Sequence, residues 1–363
     1  MNEPKGVAAM SGRRGGMKAA VLHAFGEPIA VETVPDPSCP PDGVVVEVGA
    51  CGVCRSDLDT WKGADPAVAL PHVMGHELAG VVVESGPDCR AFAVGERVTA
   101  PFILGCGRCG ECAADRSTVC AGQRLVGFTR WGAFAERVAL PAADFNLVRL
   151  PERIGLVEAA SIGCRVTTAW RALTDRAQVA AGEWVAVHGC GGVGLAAVLL
   201  AGALEARVVA VDVAPAALDR ARALGVHATV DAAATADVGA AVRAITGGGA
   251  AVSLDAAGLS ESFANSLRSL APLGRHVQIG VPVGRHAVVP LPLLELVHTR
   301  QLAIFGTRGL GAAGFAPLFE LIAAGALDLA ALVTTRLPLA GVESALARLE
   351  AGASAGITVV EPS

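Results

Sequence analysis

Four cysteines, Cys106, Cys109, Cys112 and Cys120, fall within the segment GCGRCGECAADRSTVC. Thiolates so close along a chain can wrap one zinc ion tetrahedrally, each short loop having enough slack to turn its sulfur inward. A site closed by four thiolates has no open coordination position, so it builds structure and does no chemistry. A second constellation differs in kind: Cys54 lies in CGVCRSD, His76 and Glu77 in VMGHELAG, and Cys164 in ASIGCRVTTAW. Two thiolates and an imidazole leave a fourth position for water or substrate, as a catalytic zinc requires. Taken singly these residues read as ordinary packing, since a lone buried cysteine behaves as a small hydrophobe. The case rests on their combination with the four-cysteine loop and with a third motif. There the run WVAVH leads into Gly189, Cys190, Gly191, Gly192, Val193 and Gly194 and then an apolar stretch. Gly189, Gly191 and Gly194 satisfy G-x-G-x-x-G, whose glycines make a tight turn, admit a pyrophosphate to the backbone and pack helix on strand. The next run, RVVAV, ends in Asp212, about 20 residues on, where a carboxylate accepts both ribose hydroxyls. The same carboxylate repels a 2′-phosphate, which favours NAD over NADP.

These groups need two kinds of scaffold. From Met17 to about Gly163, short apolar runs such as AAVLH, VVVEVGACG, LAGVVVES and ERVTA are separated by Gly and Pro clusters. That rhythm predicts an all-β, barrel-like unit with long functional loops. Over residues 164–306, WVAVHG, RVVAVDV, ATVDA, VSLDAAG, RHVQIGV and LAIFGT read as buried strands. Ala- and Leu-rich helical segments, such as Leu195 to Leu204 and Ala216 to Leu224, alternate with them. The alternation implies an α/β unit with a doubly wound parallel sheet. Residues 307–363 return to amphipathic helix and the strand ITVV, and residues 1–16 are expected to form a flexible extension.

Composition sets the outer bounds. A chain of 363 residues is long enough for two domains, each burying its own core. With 53% hydrophobic and 17% charged residues it is globular in character. The net charge is −5 and no basic stripe appears, so nucleic acid is not an expected partner. The longest apolar run, Leu195 to Leu204, is about half of the roughly 20 residues needed to span a membrane. Ten cysteines without an export signal point to thiols and metal in a reducing cytoplasm.

From Met17 to the C-terminus the sequence, with CGVCRSD, GHELAG, the four-cysteine loop and GCGGVG in the family's order, resembles the zinc-containing alcohol dehydrogenases of the medium-chain dehydrogenase/reductase superfamily. The resemblance implies a GroES-like catalytic domain over 17–163, completed by 307–363, and a Rossmann NAD-binding domain over 164–306, with the active site between them. Carried over by position, it makes Cys54, His76 and Cys164 the ligands of a catalytic zinc. Cys106, Cys109, Cys112 and Cys120 become those of a structural zinc. It implies Asp57 and Glu77 as supporting carboxylates, Glu77 visiting the metal during ligand exchange, and Arg55 as a pyrophosphate contact. Thr168 and Val193 match residues packed behind a nicotinamide ring. Trp61 and Phe102 match the substrate pocket, where ordinary packing is the other reading. The implied reaction takes a primary or secondary alcohol to an aldehyde or ketone, Ser56 passing the hydroxyl proton outward and NAD⁺ taking the hydride. The same resemblance implies a homo-oligomer, a tetramer ahead of a dimer, with an edge strand near Leu302 to Phe305 as the candidate for pairing between subunits.

Two positions depart from the pattern. Asp59 stands where many relatives have a histidine that ends the proton relay, and with a reference pKa of roughly 4 it is a poor base near neutrality unless burial raises it. Ile357 stands where an Arg or Lys often faces the pyrophosphate, so either cofactor affinity is lower or another cation compensates. Two rivals remain: an enone or quinone reductase of the same superfamily using NADPH, and a non-catalytic protein retaining the fold. The intact Cys54, His76, Cys164 set counts against both.

Overall fold

The computed structural model describes residues 15–352 and 356–362; the expected extension over 1–16 lies almost wholly outside them. Valine-rich strands buried on both faces form the centre of each sheet. In the first sheet, strand Val44–Val53 is antiparallel to Glu77–Ser85 on one side and to Ile357–Glu361 on the other. The sheet continues through Arg97–Thr99 to Val148–Arg149, and through Val333–Pro338 at the opposite edge. A smaller sheet of Ala30–Val34, Met17–Leu22 and His72–Val73 packs with it around Met74, Leu78, Phe134 and Leu140, which are fully or almost fully buried. The C-terminal strand ITVV therefore returns to the sheet that carries Cys54.

The second sheet is parallel throughout. Its spatial order is Ala228–Asp231, Arg207–Asp212, Trp184–His188, Ala250–Asp255, Leu270–Gln278, Ala303–Gly306. Chain order reverses direction at Trp184–His188, and a crevice opens at the carboxyl ends of strands flanking such a switch point. The glycine motif emerges there and runs into helix Gly192–Ala203, whose buried face includes Leu195, Ala196, Val198 and Leu200. A largely antiparallel β unit and a parallel α/β unit thus make up the architecture, as the strand rhythm predicts.

Between the sheets runs a helical stretch that periodicity did not reveal. Residues Ile162–Val166, Thr167–Arg171 and Ala172–Arg176 follow one another as helical turns, widened where the Val166 N–H reaches back to the Ser161 carbonyl and the Ala177 N–H to the Ala172 carbonyl. Such i→i+5 bulges are uncommon and often sit at functional positions. The first carries Cys164 and Arg165, and Thr168 lies in the α-helical turn that follows it.

Candidate active site

Strand Val44–Val53 ends at Cys54, which caps helix Arg55–Trp61. The Cys54 N–H donates to Oδ2 of Asp57 at 2.8 Å, while Oδ1 of Asp57 accepts the Gly75 N–H at 3.2 Å and faces His76 Nδ1 at 3.0 Å. One buried carboxylate thereby fixes the cysteine backbone, the turn before the histidine, and the imidazole. With Nδ1 committed to Asp57, Nε2 is left for a ligand. It is buried and has no hydrogen-bond partner. An orphaned buried ring nitrogen costs about 1–3 kcal/mol, and the neighbours that could remove that cost are the Cys54 and Cys164 sulfurs and a Glu77 oxygen. These four ligand atoms lie within 4.8 Å of one another. The donor set and its vacant nitrogen fit a zinc ion.

Proton affinities within the cluster follow from its burial. Hydrogen bonding from Cys164 holds the Cys54 thiol well below its usual range, and the same contact, with burial, pushes Cys164 up. Burial works against charging His76, yet the adjacent Asp57 raises it well above an ordinary histidine. Glu77 is pushed up to about 7 by burial although Arg165 pulls it down.

Arg165 was not singled out by the sequence. Its backbone N–H and Nε–H both donate to Glu77 Oε1, at 3.0 and 2.9 Å, Nη2 pairs with Glu77 Oε2, and Nη1 donates to the Val53 carbonyl at 3.0 Å. Both side chains are at least 95% buried. Removing either partner from such a pair costs about 3–5 kcal/mol, because the other charge is left uncompensated. Glu77 is thus held between the thiol–imidazole cluster and a guanidinium.

An apolar wall covers the cluster. The Phe102 ring centre is 5.7 Å from that of His76, and the Phe128 ring centre is 5.0 Å away. Val68, Ile103 and Leu125 pack with them and with Cys164. Phe128 and Val68 escaped the sequence reading, since nothing local marks them. Trp61 lies apart: it ends its helix with the indole N–H on the Glu27 carbonyl at 2.8 Å and packs against the first sheet's core instead of the Phe102 wall. Ser56 and Asp59 are half-buried on the same helix, where burial raises the Asp59 pKa despite Arg55. The Arg55 side chain is 69% exposed, with Nε 4.0 Å from Asp59 Oδ1.

The glycine loop joins this cluster from the second sheet. Gly189 has φ +93°, and a Cβ at Gly194 would lie 1.8 Å from the Gly189 carbonyl oxygen, so the helix approaches the strand as only glycine allows. Gly191 precedes the first helical turn, Gly192 begins it, and Val193 packs against the core. Asp212 ends its strand with Oδ2 accepting the Cys190 N–H at 2.6 Å and Oδ1 accepting the Ala214 N–H at 2.8 Å. The carboxylate is thereby aimed across the loop. Thr168 is buried, its hydroxyl accepting the Gly309 N–H at 3.1 Å. Cys190 is buried and its thiol pushed up to about 12, which leaves it inert as a nucleophile. A hollow of about 530 Å³ lined by Trp184, Arg207 and Arg275 lies at the opposite, amino-terminal ends of the parallel strands and touches none of these residues.

The four-cysteine loop forms a separate cluster. Its sulfurs lie within 4.8 Å of one another, with Cys109 and Cys120 at 3.6 Å. Cys112 and Cys120 are buried, whereas Cys106 and Cys109 are half-exposed. The Arg108 backbone N–H helps bring Cys106 down to about 6, while burial pushes Cys112 up to about 12. Among the described residues, no carboxylate or imidazole belongs to this cluster.

A family model for the alcohol dehydrogenase GroES-like domain matches residues 40–152, and one for zinc-binding dehydrogenases matches residues 192–324. An alcohol dehydrogenase of Rhizobium meliloti is 36% identical over 299 residues, covering 80% of this chain and 85% of that protein. Among solved structures, an NAD-dependent alcohol dehydrogenase superposes with a TM-score of 0.86 at 32% identity, over 96% of this chain and 100% of the other. A Sinorhizobium meliloti structure bound to NADP superposes with a TM-score of 0.84 at 28% identity, over 96% and 100% of the two chains. With both family models falling on the chain in order, and the two cysteine clusters and the glycine loop assembled as described, the chain belongs to the zinc-containing alcohol dehydrogenases of the medium-chain dehydrogenase/reductase superfamily.

Proposed function

We propose that this protein is a zinc-dependent, NAD-linked alcohol dehydrogenase that reversibly moves a hydride between a primary or secondary alcohol and NAD⁺. The observation that carries the reading is the buried, unpartnered Nε2 of His76 beside two cysteine sulfurs. Cys54, His76 and Cys164 hold the catalytic zinc, and Cys106, Cys109, Cys112 and Cys120 a structural one, giving two per chain. When bound, the catalytic metal supplies Lewis acidity that lowers the pKa of an alcohol hydroxyl, and the nicotinamide supplies the hydride acceptor.

The chain's own groups do the rest. Asp57 keeps the His76 proton on Nδ1. Ser56 accepts the substrate proton and passes it outward, and Asp59, its pKa raised by burial, is better placed than a free aspartate to receive it. Phe102, Phe128 and Val68 exclude water on the substrate side. Thr168 and Val193 back the nicotinamide ring, Arg55 and the loop of Gly189, Gly191, Gly192 and Gly194 take the pyrophosphate, and Asp212 takes the adenosine ribose. A catalytic domain of 17–163 plus 307–363 and a dinucleotide domain of 164–306 enclose the site. Strand Ala303–Gly306 ends the parallel sheet with no further strand beyond it among the described residues, which supports pairing between subunits; that the assembly is a cytoplasmic homotetramer rests on the family resemblance. No helix among the described residues is long and apolar enough to cross a membrane.

The test is a screen of aliphatic, aromatic and cyclic alcohols with NAD⁺ and NADP⁺, following the absorbance of reduced cofactor. Turnover with at least one alcohol and preference for NAD⁺ are expected. Preference for NADP⁺, as one superposed relative binds, refutes the role given to Asp212, and no turnover with any alcohol refutes the reading itself.

A further inference from the structure

The Glu77–Arg165 pair lies against two glycines, one on a strand of the first sheet and one at the start of the glycine-loop helix. A Cβ at Gly52, on strand Val44–Val53, would lie 2.3 Å from Glu77 Oε2 and 2.6 Å from Arg165 Nη2. A Cβ at Gly192, the first residue of the glycine-loop helix, would lie 2.7 Å from Arg165 Cδ and 2.9 Å from Nη1. One buried guanidinium thus touches the carboxylate of the metal cluster, the end of the strand that delivers Cys54, and the start of the dinucleotide helix. The geometry points to Arg165 as a positioning residue that couples the metal pocket to the dinucleotide loop and so sets cofactor affinity.

Two physical arguments support this. A helix N-terminus carries partial positive charge, and a fixed cation placed against it is unfavourable until an anion arrives. Glu77 supplies part of that balance, and a pyrophosphate at the loop completes it. Moreover, the position where the family resemblance places a cation is Ile357, which is fully buried among apolar side chains. Its neighbour Thr358 pairs with Val53, whose carbonyl accepts from Arg165. Arg165 thus brings a cation to the strand pair that holds Ile357. Of the five guanidinium N–H donors, Nε and one on each Nη are engaged by Glu77 and Val53, leaving one free on each Nη.

The inference rests on the dehydrogenase reading, and the experiment separates the two. NADH affinity is measured by fluorescence titration on the zinc-loaded full-length protein, with zinc content and thermal midpoint recorded for each variant. R165Q is expected to weaken NADH binding by about tenfold or more with zinc content unchanged, and R165K to lie between, since an ammonium keeps the charge but not the fork. G192A, which crowds Arg165, is expected to weaken binding less in the R165K background than in the wild type, because residues acting through one contact are not additive. That comparison also decides the matter should R165Q fail to fold. Unchanged NADH affinity in R165Q, or strictly additive losses in R165K/G192A, would overturn the role of Arg165. A wild-type protein that binds no NADH would instead overturn the dehydrogenase reading.

Discussion

The two cysteine clusters offer similar ligand chemistry in opposite settings. One is drawn from a single loop, Cys106 to Cys120, with two of its cysteines half-exposed and no carboxylate among its ligands. The other is assembled from three segments, at Cys54, His76–Glu77 and Cys164, and is braced by the buried Asp57 and Arg165. An apolar wall of Phe102, Phe128 and Val68 lies over it. Sulfur alone does not decide what a metal site does. A closed set of thiolates leaves no room for a reactant, whereas two thiolates and an imidazole under an apolar wall leave one position and a dry place to use it.

If that contrast is right, substitutions in the two clusters must fail in different ways. C54S should lower alcohol turnover by about a thousandfold or more, on the order of 4 kcal/mol of transition-state stabilisation, while the thermal midpoint stays near the wild-type value; steady-state kinetics with calorimetry checks both. C109S should do the reverse. Losing a structural zinc removes folding free energy, and about 3 kcal/mol corresponds to a midpoint lowered by about 6–12 °C, with turnover per folded molecule little changed. D57N sharpens the comparison further, because only the buried cluster has a carboxylate orienting its imidazole. Its zinc affinity should fall about 10–100-fold, measured by competition with a chelating dye, and equal affinities for D57N and wild type would mean that His76 needs no orienting partner. The smallest effect expected is that of F128A. Losing one ring beside His76 should cost about 1 kcal/mol in kcat/KM, more for aromatic than for short aliphatic alcohols.

How much of this was legible in the sequence follows the same divide. The four-cysteine loop and the glycine motif are local, so spacing alone exposed them. The α/β alternation likewise announced a parallel sheet, because strands buried on both faces read as continuous apolar runs such as RVVAV. Cys54, His76 and Cys164 could be joined only through their combination with those motifs and through family resemblance, since their contacts cross long stretches of chain. Arg165 gave no signal: a lone arginine after a cysteine reads as a surface charge, and only the folded chain brings it against Glu77, 88 residues away. Phe128 and Val68 were equally silent, as apolar residues in loops. His188 and His276 belong to neither cluster and sit against buried serines. Ser269 and Ser266 lie 3.1 and 2.9 Å from their ring nitrogens, and burial lowers their pKa values to about 3 and 4.

The central claim is that one cluster supports chemistry and the other structure. Its most direct test is zinc per chain and alcohol-dependent NADH formation measured together on wild type, C54S and C109S. The account predicts two zincs in the wild type, one in each variant, and turnover surviving only in folded C109S. Turnover retained by C54S, or lost from C109S while it remains folded, would contradict it.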